Sequence, residues 1–287
     1  MKTIILETLR TVDATNKTLI RKVCNVAVEI QGAMVSEEDT CIWQDLLNQL
    51  FTFIQGENES QVDAALTVFN GLFSHIMDHL VKFKQELGGI FQRTLQFQKL
   101  DIKLAALQAI SNFLSIAERK QIREFDKCLP LMTAVVTQAF NEQDETVIED
   151  ALVEFNELAE IEPNFFRADF KSLYEAFKPI VAYKDFANNS IRHQPIEFVV
   201  TMIERKPSIA KKDQELIKDV LELIFQLMID IDEDIDAEWL HPKEGFAGED
   251  EEEDNVSFGK TCVDRLVAGV GEGTMLPLIG ILVQNTI

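Results

Sequence analysis

Apolar residues in this chain fall at helical spacing, and one helical pattern keeps returning. In its clearest copy Val62, Leu66, Phe69, Phe73, Ile76 and Leu80 follow one another by steps of four, three, four, three and four, which puts all six on one face of a 3.6-residue helix. The pattern starts at Ile20, Val62, Ile102, Val147, Ile191 and Phe258, at intervals of 42, 40, 45, 44 and 67 residues. In the third copy Ala105, Ala106 and Ala109 join Ile102, Ile110, Phe113 and Leu114, and such small side chains let neighbouring helices approach closely. Between these copies lie other helical stretches, roughly 44–55, 81–96, 123–140, 165–181 and 212–231, so two kinds of helix alternate. Turn-forming residues separate them at 56–58, 141–144, 162–164 and 188–190, and short loops imply antiparallel neighbours.

A period of about 40 to 47 residues is that of two-helix HEAT-type repeats, whose hairpins must stack to bury their apolar faces. The expected fold is therefore all-α, a right-handed α-solenoid of HEAT repeats forming a single domain over 1–287 with about six to seven repeats. Strand signals are weak: β-branched residues do not alternate, and glycine and proline together number nineteen. Pro130, Pro195 and Pro277 lie in helical stretches and are expected to kink them. Helix 216–231 is apolar on more than one face and should be interior to the stack. The chain opens within a repeat and closes on an apolar first helix, 276–287, with no second helix to cover it, so it is expected to be part of a longer protein or to dock its ends on something else.

The long last interval comes from an acidic insert. Against a typical 43 residues, the 67 leave a surplus of 24, which matches 230–254. That stretch holds thirteen acids and one base, Lys243, and supplies −12 of the net charge of −22. The region 230–257 is read as an acidic loop within one repeat. Like charges at this density resist folding, so an extended, solvated tether is expected, able to steer basic protein surfaces toward it. The candidate protein-binding residues are Asp230, Asp232, Glu233, Asp234, Asp236, Glu238, Trp239, Glu249, Asp250, Glu251, Glu252, Glu253 and Asp254. Trp239 and Phe246 could anchor the loop by burying their rings. The plainer alternative is a passive solubilising linker.

The rest of the composition mainly excludes. With 27 bases against 49 acids and no dense basic cluster, direct nucleic-acid binding is not expected. Cys24, Cys41, Cys128 and Cys262 are too scattered for a disulfide framework or a zinc site, which fits a reducing compartment. No apolar run is long enough for membrane insertion; the best, 220–229, is broken by Glu222 and Gln226. Asp230, Asp232, Asp234 and Asp236 imitate a calcium loop, but Ile235 and His241 stand where glycine and glutamate are needed. His75 and His79 lack the H-E-x-x-H arrangement of a zinc helix, and Gly269, Gly271 and Gly273 lack the lysine of a phosphate loop and read as an inter-repeat turn. No catalytic constellation and no cofactor site emerges.

Taken in order, Ile20 to Ala27 (IRKVCNVA), Glu59 to Phe69 (ESQVDAALTVF), the acidic tract with its tryptophan, Phe258 to Leu266 (FGKTCVDRL) and Leu276-Pro277-Leu278-Ile279 resemble the importin-beta superfamily of nuclear import receptors, over about 19–282. The resemblance implies a HEAT superhelix without catalysis that shuttles between cytoplasm and nucleus. It implies three kinds of partner: Ran in its GTP form, cargo proteins with basic nuclear localisation signals held on the inner surface of second helices, and Phe-Gly nucleoporins between first helices, here around 87–97, 129–140 and 173–181. There are departures. A basic residue often follows the first apolar position of such second helices; Arg21, Lys103 and Arg192 comply, whereas Asp63 and Ile148 do not. The alternatives weighed are a HEAT scaffold subunit of a complex such as a phosphatase, and an acidic chaperone for basic proteins.

Overall fold

Each helical stretch read from the periodicity contains a helix in the structure, a computed structural model that describes residues 1–11, 17–35, 41–211, 213–230 and 254–286. The chain divides into two compact units, 1–154 and 155–287. Unit 1 contains α1 (Lys2–Arg10), α2 (Lys17–Gly32), α3 (Gln44–Gln55), α4 (Glu59–Leu80), α5 (Lys84–Thr94), α6 (Leu100–Ile116), the single turn α7 (Arg119–Ile122) and α8 (Leu129–Glu142). The unit boundary falls within α9 (Glu145–Ile161). Unit 2 continues with α10 (Phe170–Ala182), α11 (His193–Arg205), α12 (Gln214–Ile229), α13 (Asn255–Val270) and α14 (Glu272–Thr286). Short 3-10 turns lead into α5, α8 and α11. Among the described residues there is no strand beyond an isolated bridge position at Val35.

Second helices stack in parallel, and their contacts repeat the sequence period. The Cys24 thiol of α2 donates to the Ala64 carbonyl of α4, 40 residues on, and Asn112 of α6 donates to Asn70 of α4 across 42. First helices do the same in unit 2, where Lys178 of α10 meets Asp219 of α12 across 41. Contacts that span the acidic insert are longer: Arg265 of α13 reaches Glu204 and Glu197 of α11 across 61 and 68 residues. The insert thus lengthens the chain without breaking the stack of α11 on α13. This is an all-α HEAT solenoid architecture.

The cores are phenylalanine-rich. Val62, Leu66, Phe69, Phe73, Ile76 and Leu80 are all buried on α4, as their spacing requires. Around them Phe73, Phe91, Phe113 and Phe125 meet edge to face or tilted, with centroids 4.8 to 6.4 Å apart. Unit 2 repeats the device with Phe155, Phe166, Phe177 and Phe198, 5.2 to 5.9 Å apart. Each such pair adds about 0.5–1.5 kcal/mol beyond its area burial. On α12, Leu216, Ile217, Val220, Leu221, Leu223, Ile224 and Leu227 are buried, in keeping with an interior helix.

The expected proline kinks need correction. Pro130 is in the first turn of α8, where its missing N–H has no helical partner to lose, so it starts the helix and does not bend it. Pro195 is likewise in the first turn of α11, and the break expected there is the 3-10 turn Asn189–Arg192 before it. Pro277 does lie inside α14. The kink that periodicity missed is at Ile76, where α4 leaves helical geometry (φ −131, ψ 33). Gly71 and Ser74 precede it, and the Ser74 hydroxyl donates to the Gly71 carbonyl, a back-bond that bends helices. The glycine-rich inter-repeat turn is borne out: Gly271 takes φ 107 between α13 and α14.

Candidate functional site

The acidic stretch is held at its two ends. Asp230 closes α12; its Oδ1 accepts from Lys184 Nζ at 2.5 Å, and its Oδ2 forms an ion pair with the Arg192 guanidinium at 2.8 Å. Arg192 is almost wholly buried and also donates to the carbonyl of Val181 and the side chain of Asn189. Burial alone would push the Asp230 carboxyl up, but these two cations hold it below the usual carboxylate range. At the other end, Asp254 caps α13 by accepting from the Ser257 N–H at 2.6 Å, which lowers its carboxyl too.

Asn255 joins the two ends. Its side-chain amide donates to the Asp230 carbonyl at 3.0 Å, and its Oδ1 lies 2.8 Å from His193 Nε2. The His193 ring stacks on Phe258, with centroids 4.1 Å apart and planes 7° from parallel. Gly259 then lets α13 press against α12, since a Cβ there would lie 2.3 Å from Met228 Cγ. The neck of the insert is therefore fixed by α11, α12 and α13 together. Of the thirteen residues singled out in the sequence, Asp230 and Asp254 serve this neck; the other eleven, with Phe246, lie outside the described residues.

Beside the neck is an open cleft of about 360 Å³ between the ends of α10 and α12, walled by Val181, Leu223, Leu227 and Ile229 and floored by Arg192 and Asp230. It adjoins the 173–181 stretch, one of those where the family resemblance implies a nucleoporin slot. Nearby, Asp219 is held by Lys178 and the Tyr174 hydroxyl at 2.7 and 2.6 Å. Burial first, and then Asp219, push the tyrosine hydroxyl far up, so it stays protonated and donates.

The second helices carry a different set of polar groups. In unit 2 Arg265 donates to Glu197, Glu204 and Thr201 of α11, and although burial opposes its charge the two glutamates hold it firmly protonated. Asn156 of α9 donates to Gln194. In unit 1 Asn112 donates to both the carbonyl and the side chain of Asn70. These amide pairs link second helices where the basic ladder read from sequence is incomplete. A groove of about 310 Å³ lies over α2, α4 and α6, with Asp63 in it.

Other sequence candidates resolve into structure. Among the described residues no cluster of His, Cys, Asp or Glu could hold a metal, and no helix is long and apolar enough to cross a membrane. His75 packs on Gly32, while burial and Lys82 lower the His79 imidazole. Cys24 and Cys128 are buried thiols pushed up to about 12 by desolvation, which makes them poor nucleophiles.

Comparison with known proteins agrees with this architecture. A family model described as "IPO5-like, TPR repeats" matches residues 15–176, more than half the chain, and one described as "Importin repeat" matches 184–277. The intervals of 40 to 45 residues before the insert are nevertheless longer than the 34 of a TPR unit, and fit HEAT hairpins. "Importin subunit beta-3" of Saccharomyces cerevisiae is 20% identical over 253 residues, which cover 86% of this chain and 22% of the relative. Crystal structures of Kap121p bound to RanGTP and of Kap121p bound to Nup53p each superpose on 99% of this chain with a TM-score of 0.80, at 17% and 18% identity. The chain spans about a quarter of those proteins, 26% in both cases. Repeat period, helical register and family match converge: this chain belongs to the importin-beta superfamily, in its IPO5-like family.

Proposed function

We propose that this chain forms part of a nuclear transport receptor that binds basic cargo and the GTP form of Ran, contacts Phe-Gly nucleoporins, and moves between cytoplasm and nucleus. The single observation that carries the reading is the IPO5-like match over 15–176, which covers α2 to α9 and most of α10. Kap121p, which shares the fold, has been crystallised with RanGTP, with Nup53p and with the SUMO protease Ulp1p, so the same three kinds of partner are assigned here. The cleft between α10 and α12, apolar walls with a charged floor, suits an aromatic side chain of a nucleoporin segment.

The acidic stretch serves in this reading as an electrostatic lure for basic cargo. Its residues Asp232, Glu233, Asp234, Asp236, Glu238, Trp239, Glu249, Asp250, Glu251, Glu252 and Glu253 engage the partner, while Asp230 and Asp254 tether the ends. Because Asn255 bonds to Asp230, the stretch leaves and returns at one point.

A pull-down with Ran loaded with GTP or GDP tests the reading. Retention of the GTP form well above the GDP form is expected; equal retention would count against it. Titration of a basic cargo peptide against the chain with and without 231–253 separates a receptor from a passive scaffold, which should be indifferent to the deletion.

A further inference from the structure

We propose that the groove over Asp63 in unit 1 seats a lysine or arginine side chain of an extended protein segment, with Asp63 as its counter-ion. The proposal rests on the transport-receptor reading only for the kind of partner. Its geometry is independent of the acidic stretch.

The groove runs over the N-terminal parts of α2, α4 and α6, and its charges pair off unevenly. Lys17 of α2 reaches across to Asp101 of α6 at 3.4 Å, and Lys99 meets Glu59 of α4 at 2.9 Å. Asp63 sits between them, half-buried, and among the described residues its carboxylate has no hydrogen bond or ion pair of its own. Burial raises its carboxyl, and Arg21 and Lys17, near but not in contact, do not reverse the shift. A desolvated carboxylate without a direct partner gains most from a cation that can touch it. Lysine and arginine also bring long aliphatic stems, and Ile20, Leu104 and Ala105 line the same groove to receive one. Arg21, close to the Asp63 carboxylate without touching it, repels the guest's cationic head.

That arrangement gives two substitutions of opposite sign. Fluorescence anisotropy of the whole chain with a labelled hexapeptide of alternating glycine and lysine reads both, with the glycine–glutamate peptide as counterpart. Asp63→Asn is expected to weaken lysine-peptide binding about tenfold, the scale of a hydrogen bond to a charged group. Arg21→Ala is expected to tighten it about twofold, as for relief of an exposed like charge. Glu215→Gln, which removes the same charge from an exposed position in unit 2, controls for net charge. If Asp63→Asn weakens binding no more than Glu215→Gln does, the proposal is overturned. It is equally overturned if the glutamate peptide is the better ligand and loses affinity on Arg21→Ala, since the groove would then take an acidic guest. Urea unfolding of each variant checks folding; Asp63→Asn should be no less stable than the parent. Loss of nucleotide-dependent Ran retention in the parent chain would sink the transport reading and leave these peptide results standing.

Discussion

Asp63 in unit 1 and Asp230 in unit 2 are both half-buried aspartates close to an arginine and a lysine, yet their carboxyls shift in opposite directions. Burial raises both. At Asp230 Lys184 and Arg192 touch the carboxylate and more than offset that cost; at Asp63 Arg21 is exposed and the Lys17 ammonium is committed to Asp101. Coulomb attraction falls with distance and with intervening water, so contact, and not mere proximity, decides the sign. The difference also divides the roles. A carboxylate satisfied by its own chain holds structure together, as Asp230 does at the neck of the insert, whereas one left unsatisfied in a groove is available to a partner.

Breaking the neck should have the largest effect. Arg192→Met removes the buried cation, leaves Asp230 with Lys184 alone, and strips partners from the Val181 carbonyl and Asn189. Loss of one member of a buried pair is expected to cost about 3 kcal/mol in urea unfolding. A cost under about 1 kcal/mol, the level of a surface pair, would mean that Asp230 is no better held than Asp63.

Arg265 sharpens the comparison within the same unit. Its ion pairs with Glu197 and Glu204 are about two-thirds buried, so Arg265→Met should cost about 2 kcal/mol by stranding two carboxylates. A double-mutant cycle with Glu204→Gln should return a coupling of about 1 kcal/mol, and a coupling near zero would show that the contact is incidental.

What the sequence disclosed follows from which physics is periodic. Apolar spacing of three and four places the second helices of both units, and the interval of 67 announces the insert; contacts of Arg265 across 61 and 68 residues are its structural counterpart. Pro130 misled because a proline's effect depends on which turn of the helix it occupies, and its position relative to the helix start is not periodic. The kink at Ile76 was hidden because all six apolar residues around it stay buried. Of the neck, Asp230 and Asp254 stood out as acids, Arg192 as a ladder position and Phe258 as a pattern start, whereas Lys184, His193 and Asn255 follow no repeat and meet through folding. Asp63 did stand out, as an acid where the family favours a base, but its lack of a contact partner needed the neighbouring helices in place.

The finest form of the comparison is pH dependence. Asp230 has a folded-state pKa below its ordinary 3.8, so the stability it contributes is present above 3.8 and lost as pH falls through the depressed value. Asp63 is the reverse case: its folded-state pKa is raised above 3.8, so ionising it costs stability as pH rises from 3.8 through the raised value. Urea midpoints measured from about pH 3 to about pH 7 should therefore diverge for two isosteric variants. Asp230→Asn should lie below the parent by a constant margin above 3.8, and the gap should narrow as pH falls from 3.8 toward the depressed value. Asp63→Asn should match the parent at low pH and exceed it at neutral pH, because an amide has no charge to desolvate. Parallel profiles for the two variants would mean that Asp63 finds a counter-charge within its own chain after all, and the distinction between a structural and an available carboxylate would then disappear.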